Sequence, residues 1–379
     1  MNTSSSRFDI IIVGGGLAGL SSAIHLSKTN LRVLVIEKNS YPKHKVCGEF
    51  ISNEVLPYFN FLEIDVFKLG AKKIDKFQLS TTKSKLISTK LPLGGFGISR
   101  FCLDSALANK AVHFGTEILQ DSVEDIQFFN DVFSVETKGK KRFEAKIVIG
   151  AYGKRSKLDI KLKRKFIERK SPYLAIKTHV KGSFPEDVVA LHNFEGGYCG
   201  VSKVENDSIN LCYITSLDSF KTYKNINEFQ QEVLYKNIFL EEIFNNTIPV
   251  FDEPLTISQI SFENKKPIEN HIIMCGDTAA LIHPLCGNGM SMAIRSAQIA
   301  STLIIKYFNS DTSDRETLEK QYLREWNIAF KTRLKTGHIV SDLFNQPQLS
   351  EVLMQGLKWI PGILPFIIKR THGKVMKVE

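Results

Sequence analysis

Gly14, Gly16 and Gly19 lie in the stretch FDIIIVGGGLAGLSSAIHLS and keep the spacing Gly-x-Gly-x-x-Gly. That spacing suits the binding of a pyrophosphate. The first glycine permits a tight turn, the second lets a phosphate approach the backbone, and the third lets a helix pack close to a strand. A helix opening at Leu17 and Ala18 adds free N–H groups and a positive dipole end. Glu37 follows 18 residues after Gly19, where a carboxylate accepts hydrogen bonds from ribose hydroxyls. A carboxylate there disfavours a 2′-phosphate, so NADP is not the expected occupant. Lys38 closes this group of candidate binding residues.

A second set begins at Pro42 and reads Lys-His-Lys-Val-Cys-Gly-Glu up to Glu49. A thiol at Cys47, beside Lys45 and near His44, can give or take a proton, with Glu49 as an acid two residues on. The plainer reading is that Cys47 packs as a small apolar group while Gly48 makes a turn. Both readings stand on the sequence alone. Arg100 opens a helical pattern after Ile98-Ser99, and far downstream Cys275-Gly-Asp-Thr-Ala-Ala leads to Pro284 and then to Gly287-Asn288-Gly289-Met290.

These residues need elements to place them. The apolar, β-branched run Phe8–Val13 predicts a buried parallel strand, and Leu17–Lys28 has helical spacing. Leu31–Ile36 predicts a second buried strand. Helices are expected over 102–113, about 226–243, 288–307 and 315–345, and strands over 116–119, 132–137, 146–149 and 271–275. Alternating apolar and polar residues over 174–215 suit sheet strands. The expected fold class is α/β: a Rossmann-like dinucleotide-binding domain with an inserted, mainly antiparallel β-sheet substrate domain and a helical C-terminus. The binding domain is discontinuous, over 1–75, 96–173 and 265–310. The substrate domain takes 76–95 and 174–264, and 311–379 forms the helical region.

Bulk properties narrow the classes further. The 379 residues are 43% hydrophobic, ordinary for a globular core, and carry a formal net charge of +10, which favours anionic partners. No nucleic-acid motif accompanies that charge, and the basic run 154–165 reads as a solvated face. The six cysteines lack Cys-x-x-Cys spacing, so neither a disulfide scaffold nor a metal site is expected. The polar start, without a leader or a long apolar run, makes the cytoplasm the expected location. The tail from Gly356 to Arg370 combines apolar bulk, a tryptophan and flanking cations. It either caps a hydrophobic groove of the protein or rests on a membrane surface.

The two glycine elements together resemble the flavoprotein superfamily of para-hydroxybenzoate hydroxylase and geranylgeranyl reductase. Gly276, Asp277, Pro284, Gly287 and Gly289 are similar to that superfamily's second FAD motif. The resemblance implies that FAD is the cofactor and that Asp277 holds a ribitol hydroxyl. It also implies that the turn at 287–290 presents a helix N-terminus to the flavin's N1–O2 edge, and that Arg100 reaches the FAD phosphate or ribitol. The Lys45-Val46-Cys47-Gly48-Glu49 loop is similar to one lying beside the flavin in geranylgeranyl reductase-like proteins. One departure stands out: Tyr152 in Gly150-Ala-Tyr-Gly-Lys-Arg-Ser156 replaces the aspartate of many relatives, which touches the expectation of NAD(P)H as electron donor. The leading expectation is a monooxygenase acting on an aromatic or polyketide-like lipophilic molecule. The alternatives are a flavin-dependent C=C reductase and a non-catalytic flavin-binding redox sensor. A halogenase is disfavoured because a Trp-x-Trp-x-Ile-Pro motif is absent.

Overall fold

A computed structural model of the chain describes residues 6–168, 172–283, 286–312, 314–344 and 362–378. Pro284 and the first part of the tail, 356–361, lie outside them. The strand Ser6–Val13 buries its last six residues except Asp9, and pairs in parallel with Val33–Glu37 on one side and Arg142–Gly150 on the other. Ile272–Met274 and Glu117–Gln120 extend this parallel core outward, and the hairpin of Val123–Phe129 and Val132–Thr137 joins it through Arg142–Gly150. Buried on both faces, these strands are near-continuous in Val, Ile and Leu, as a parallel sheet requires.

The helices Leu17–Ser27, Arg100–His113 and Gly289–Phe308 cover the sheet. The helix Arg315–Phe344 packs on Gly289–Phe308. The sequence expectations for these helices hold to within two residues at each end.

The second sheet has nine strands and is antiparallel throughout, except where Val188–Phe194 runs parallel to Lys72–Ser80. Its central strands are Tyr173–Gly182, Ile209–Ser216, Gly197–Lys203 and Val188–Phe194. Side chains alternate between faces with period two. Leu174, Ile176, Phe194, Leu211 and Tyr213 belong to a core closed over by Phe229 and Leu240. Ala175, Lys177 and His179, with Asn210, Cys212 and Ile214, occupy the opposite face, which meets the first domain.

The single helix expected over 226–243 is two, Ile226–Glu232 and Ile238–Asn245. Asn237 breaks it. Its Oδ1 accepts from the N–H of Phe239, while its Nδ2 donates to Ser80 Oγ, Thr81 O and Asn193 O. A residue with that many partners outside the helix favours a cap over a continuous turn.

The helix Ile363–Thr371 lies against the second sheet, with Leu364 and Ile368 buried in its core. Among the described residues no helix is long and apolar enough to cross a membrane.

Candidate functional site

The glycine turn is built tightly, and each glycine is needed for a different reason. Gly14 has φ +104°, and a Cβ there would lie 2.4 Å from Ala151 O. A Cβ on Gly19 would lie 2.0 Å from Gly14 O, so the helix sits against the strand only because that side chain is missing. Gly16 differs: a Cβ there meets only Arg100 Nη2, at 3.5 Å. Protein packing does not forbid a side chain at Gly16, which leaves that space for a ligand. Leu17 and Ala18 line the same cavity.

Glu37 reaches back to this turn. Its Oε2 accepts the Gly15 N–H at 2.7 Å, and its Oε1 accepts from Asn39 N and Nδ2 at 3.0 and 2.7 Å. Tyr41 donates its hydroxyl to Gly15 O at 2.6 Å. Lys38 is exposed just beyond.

Arg100 sits at the mouth of the turn in a bidentate pair with Asp104, Nε–Oδ1 and Nη2–Oδ2 both 2.7 Å, and Lys45 Nζ shares that carboxylate at 2.8 Å. Burial opposes ionising Asp104, but the Arg100 and Lys45 cations outweigh it and hold its carboxyl below the usual range. Burial likewise opposes the Arg100 charge, and Asp104 more than restores it. Two cations on one carboxylate leave a net positive charge beside Gly16, suited to a pyrophosphate. Sequence reading missed Asp104, although its i, i+4 spacing from Arg100 on a helix was a usable signal.

The downstream element meets the first one. Gly276 has φ +61°, and a Cβ on it would lie 3.2 Å from Ala18 Cβ and 3.3 Å from Ala293 Cβ. Its N–H donates to Ser296 Oγ at 2.8 Å. Asp277 is half-buried and lines the cavity, as do Gly287, Asn288, Gly289 and Met290 at the start of a 20-residue helix. Asn288 is fully buried and donates Nδ2 to Thr371 O at 2.7 Å, while its Oδ1 has no partner among the described residues. Lys265, another residue that sequence reading missed, ties the two halves together. Its Nζ donates to Lys154 O and Asp277 O, both at 2.7 Å, and burial lowers its pKa to about 8.

The Cys47 loop closes one side of the cavity. Val46, Cys47, Gly48 and Glu49 all line it, and the Cys47 thiol donates to Met290 Sδ at 3.4 Å. Lys45 turns to Asp104, and His44 stacks on Phe101 with centroids 4.5 Å apart. Glu49 is fully buried with φ +54°. Burial opposes its ionisation, but the hydrogen bond from His179 and the Lys177 charge outweigh that and keep its carboxyl below the usual range.

Tyr152 lies half-buried and donates to Asp159 Oδ1 at 3.3 Å. The basic run is not wholly solvated, because Arg164 is buried and pairs with Asp159 at 2.8 Å.

Beyond the loop the cavity opens into an apolar chamber. Its walls include Phe77, Leu79, Ala175, Leu191, Ile214 and Ile260, roofed by Leu364, Ile367 and Ile368. Of the aromatics considered for a pocket, Tyr198 lines it with a buried hydroxyl that has no partner. Tyr213 also borders it, although its hydroxyl accepts from Gln230 on the other face of the sheet; Phe194 and His192 pack against Phe229 and Phe239, and Tyr173 packs on Phe262.

Thus the glycine turn, the Asp277 element, Arg100 and the Cys47 loop share one elongated cavity. The opening at Gly16, the cations beside it, and the uncommitted helix N-terminus at Gly289 fit an extended dinucleotide carrying a ring at its far end. Comparison with known proteins agrees. Residues 9–48 match the DAO family of FAD-dependent oxidoreductases. The chain is 26% identical over 346 residues to digeranylgeranylglycerophospholipid reductase of Methanosarcina acetivorans, covering 87% of this chain and 82% of the other. It is 23% identical over 359 residues to conditioned medium factor receptor 1 of Dictyostelium discoideum, covering 86% and 68%. Among solved structures, a flavin-dependent brominase superposes with a TM-score of 0.78 at 18% identity, covering 96% of this chain and 93% of that one. At that identity the likeness speaks for the fold alone. Relatives and cradle converge on one assignment: the chain is an FAD-dependent oxidoreductase, similar over most of its length to proteins named as digeranylgeranylglycerophospholipid reductases.

Proposed function

We propose that this oxidoreductase reduces carbon–carbon double bonds in a lipophilic, isoprenoid-like chain. The observation that carries this reading is the chamber, whose walls and roof are mostly aliphatic, with Phe77 and Tyr198 among them, and which runs directly into the Cys47 loop. The names of curated relatives, digeranylgeranylglycerophospholipid reductases at 24–26% identity, point the same way. Hydroxylation of an aromatic or polyketide-like molecule, the leading expectation from sequence, becomes the second reading. It draws support from Tyr198, whose partnerless buried hydroxyl suits a polar ring substituent.

In the reductive reading, bound FAD supplies the hydride chemistry. Gly14, Gly16, Gly19 and Glu37 would hold the adenosine and pyrophosphate end, with Arg100 and Lys45 balancing its charge. Asp277 would accept from a ribitol hydroxyl, and the N–H groups at Gly289 and Met290 would favour negative charge at the ring. Leu191, Ile214 and Ile260 exclude water and align the chain, and the Cys47 thiol holds a proton at Sγ beside the ring. NAD(P)H is the proposed electron donor, delivering to a site from which the Tyr152 hydroxyl is turned toward Asp159. A lipid-borne substrate would enter past the helix Ile363–Thr371, whose exposed Phe366, Lys369 and Arg370 suit a membrane surface.

Mass spectrometry separates the readings. The anaerobically reduced protein, mixed with vesicles of geranylgeranyl-chain phospholipid, is expected to return to the oxidised flavin spectrum as the lipid gains pairs of hydrogens. No lipid reduction, together with aerobic gain of one oxygen atom by a phenol, overturns the reductive reading in favour of the second. Anaerobic bleaching by NADH or NADPH tests the donor.

A further inference from the structure

Four residues of the Cys47 loop, Lys45, Cys47, Gly48 and Glu49, are bonded from side chains of the second sheet. Asn210 Nδ2 donates to Gly48 O at 2.9 Å and to Cys47 O at 3.3 Å. Lys177 Nζ donates to Lys45 O at 3.2 Å and to Glu49 Oε1 at 2.5 Å. His179 Nε2 lies 2.7 Å from Glu49 Oε2. On Glu49 itself the other side of the cavity adds two backbone N–H groups, Arg100 N to Oε1 at 2.8 Å and Ile98 N to Glu49 O at 3.1 Å, while Asp104 and Met290 take the Lys45 and Cys47 side chains.

The three holding side chains form one compact group. Lys177 and His179 are alternate residues of one strand, and Asn210 is directly opposite His179 in the next. All three are buried, with Lys177 fully so. A fully buried lysine, whose hydrogen-bond partners among the described residues are in this loop, is costly unless its placement serves the loop. The turn residue Glu49, in left-handed backbone, stays put because its carboxylate is gripped from two sides.

We propose that Lys177, His179 and Asn210 are positioning residues that fix the Cys47 thiol against the cofactor cradle and so set its reactivity. The assignment of that cradle to FAD rests on the flavoenzyme reading above. The positioning itself rests on bonds within the protein. The polar end of the substrate sheet is thereby a template for the loop, while farther along the same strands Ala175 and Ile214 line the chamber.

The test uses the full chain with FAD bound. Asn210→Asp replaces a donor by an acceptor of equal size, facing the carbonyl oxygens of Cys47 and Gly48. Lys177→Met removes a charge, and the double variant Glu49→Gln with Lys177→Met removes its partner as well. Cys47 alkylation by iodoacetamide is followed by peptide mapping, with Cys102 as internal control, alongside FAD stoichiometry, the flavin midpoint potential and the urea midpoint. Asn210→Asp and Lys177→Met are expected to change the Cys47 alkylation rate about tenfold, within the range for residues sharing one network. Cys102 should be unchanged and FAD retained, and the double variant should return toward the wild-type rate. A folded, FAD-bound Asn210→Asp with Cys47 alkylation within about twofold of wild type overturns the proposal. So does a double variant no closer to wild type than Lys177→Met. If Lys177→Met does not fold, Asn210→Asp and the donor-keeping His179→Gln decide by the same alkylation rate. A wild-type chain that takes up no FAD defeats the flavoenzyme reading alone, because the same change in Cys47 reactivity is then expected in the apoprotein.

Discussion

Gly16→Ala separates a glycine kept for the fold from one kept for the ligand. Gly16 has φ −91° and ψ −168°, extended backbone that alanine adopts without strain. The added methyl would stand 3.5 Å from Arg100 Nη2 and touch no other protein atom. Alanine is a poorer helix N-cap than glycine by roughly 0.5–1 kcal/mol, and the loss of unfolded-chain freedom returns about 0.4–1 kcal/mol. The apoprotein should therefore match wild type within about 0.5 kcal/mol. A phosphate oxygen hydrogen-bonded to that turn sits about 2.9 Å from a backbone nitrogen, and a methyl on the same residue intrudes on it. Overpacking of this kind costs about 1–3 kcal/mol, so FAD should bind roughly 5- to 150-fold more weakly. Gly19→Ala is the control, because its Cβ would lie 2.0 Å from Gly14 O. That variant should lose at least about 1–3 kcal/mol of stability before any ligand is added. The assays are urea unfolding of both apoproteins and fluorescence titration with FAD. A Gly16→Ala chain that unfolds as early as Gly19→Ala, or that binds FAD at wild-type affinity, refutes the division of labour.

Asp277→Ala should weaken FAD binding by about 1–3 kcal/mol, since a ribitol hydroxyl would lose its acceptor, and flavin occupancy after gel filtration checks it. Ala175→Phe should fill the chamber beside Ile214 while leaving FAD stoichiometry intact, so lipid turnover falls with the flavin spectrum unchanged; retained turnover would show that the substrate lies elsewhere. Lys265 gives a pH test. Burial holds its folded pKa at about 8, below the ordinary 10.5. Between those values the unfolded chain binds a proton that the folded chain does not, so this lysine's contribution to stability rises with pH across the window. The slope is at most about 1.4 kcal/mol per pH unit, and below pH 8 the penalty is constant. The difference in unfolding free energy between wild type and Lys265→Met, followed from pH 7 to 11, should change across that window. A flat difference counts against a buried ammonium.

Much of the cradle was legible because its signals are local. The strand at Phe8–Val13 and the glycine spacing fall within one short segment, and the Gly276–Asp277 element within another. Helix positions near Arg100 and Gly289 followed from the apolar pattern and from the motif resemblance. What escaped was non-local. Nothing near Lys177 announces that its partner is Glu49, 128 residues earlier. In a strand pattern, Lys177 and His179 read as solvent-facing residues, whereas a second domain covers that face. Asn237 broke an expected helix for the same reason, its partners being Ser80, Thr81 and Asn193.

The two sheets meet at a surface whose character changes along the strands, and that change ties cofactor site to substrate site. Ala175 and Ile214 lie toward the apolar chamber, and Lys177, His179 and Asn210 toward the loop. A chamber built from polar side chains would hold water against reduced flavin, and a loop anchored on apolar ones would lack donors for its carbonyls and for Glu49. The sheet therefore needs both ends, in that order. Any substitution that shifts the register of Tyr173–Gly182 by one residue exchanges these faces. Such a slip would put Lys177 into the apolar core with Phe229 and Leu240, and Ile176 against the loop. Register, more than any single side chain, links the fold to the chemistry.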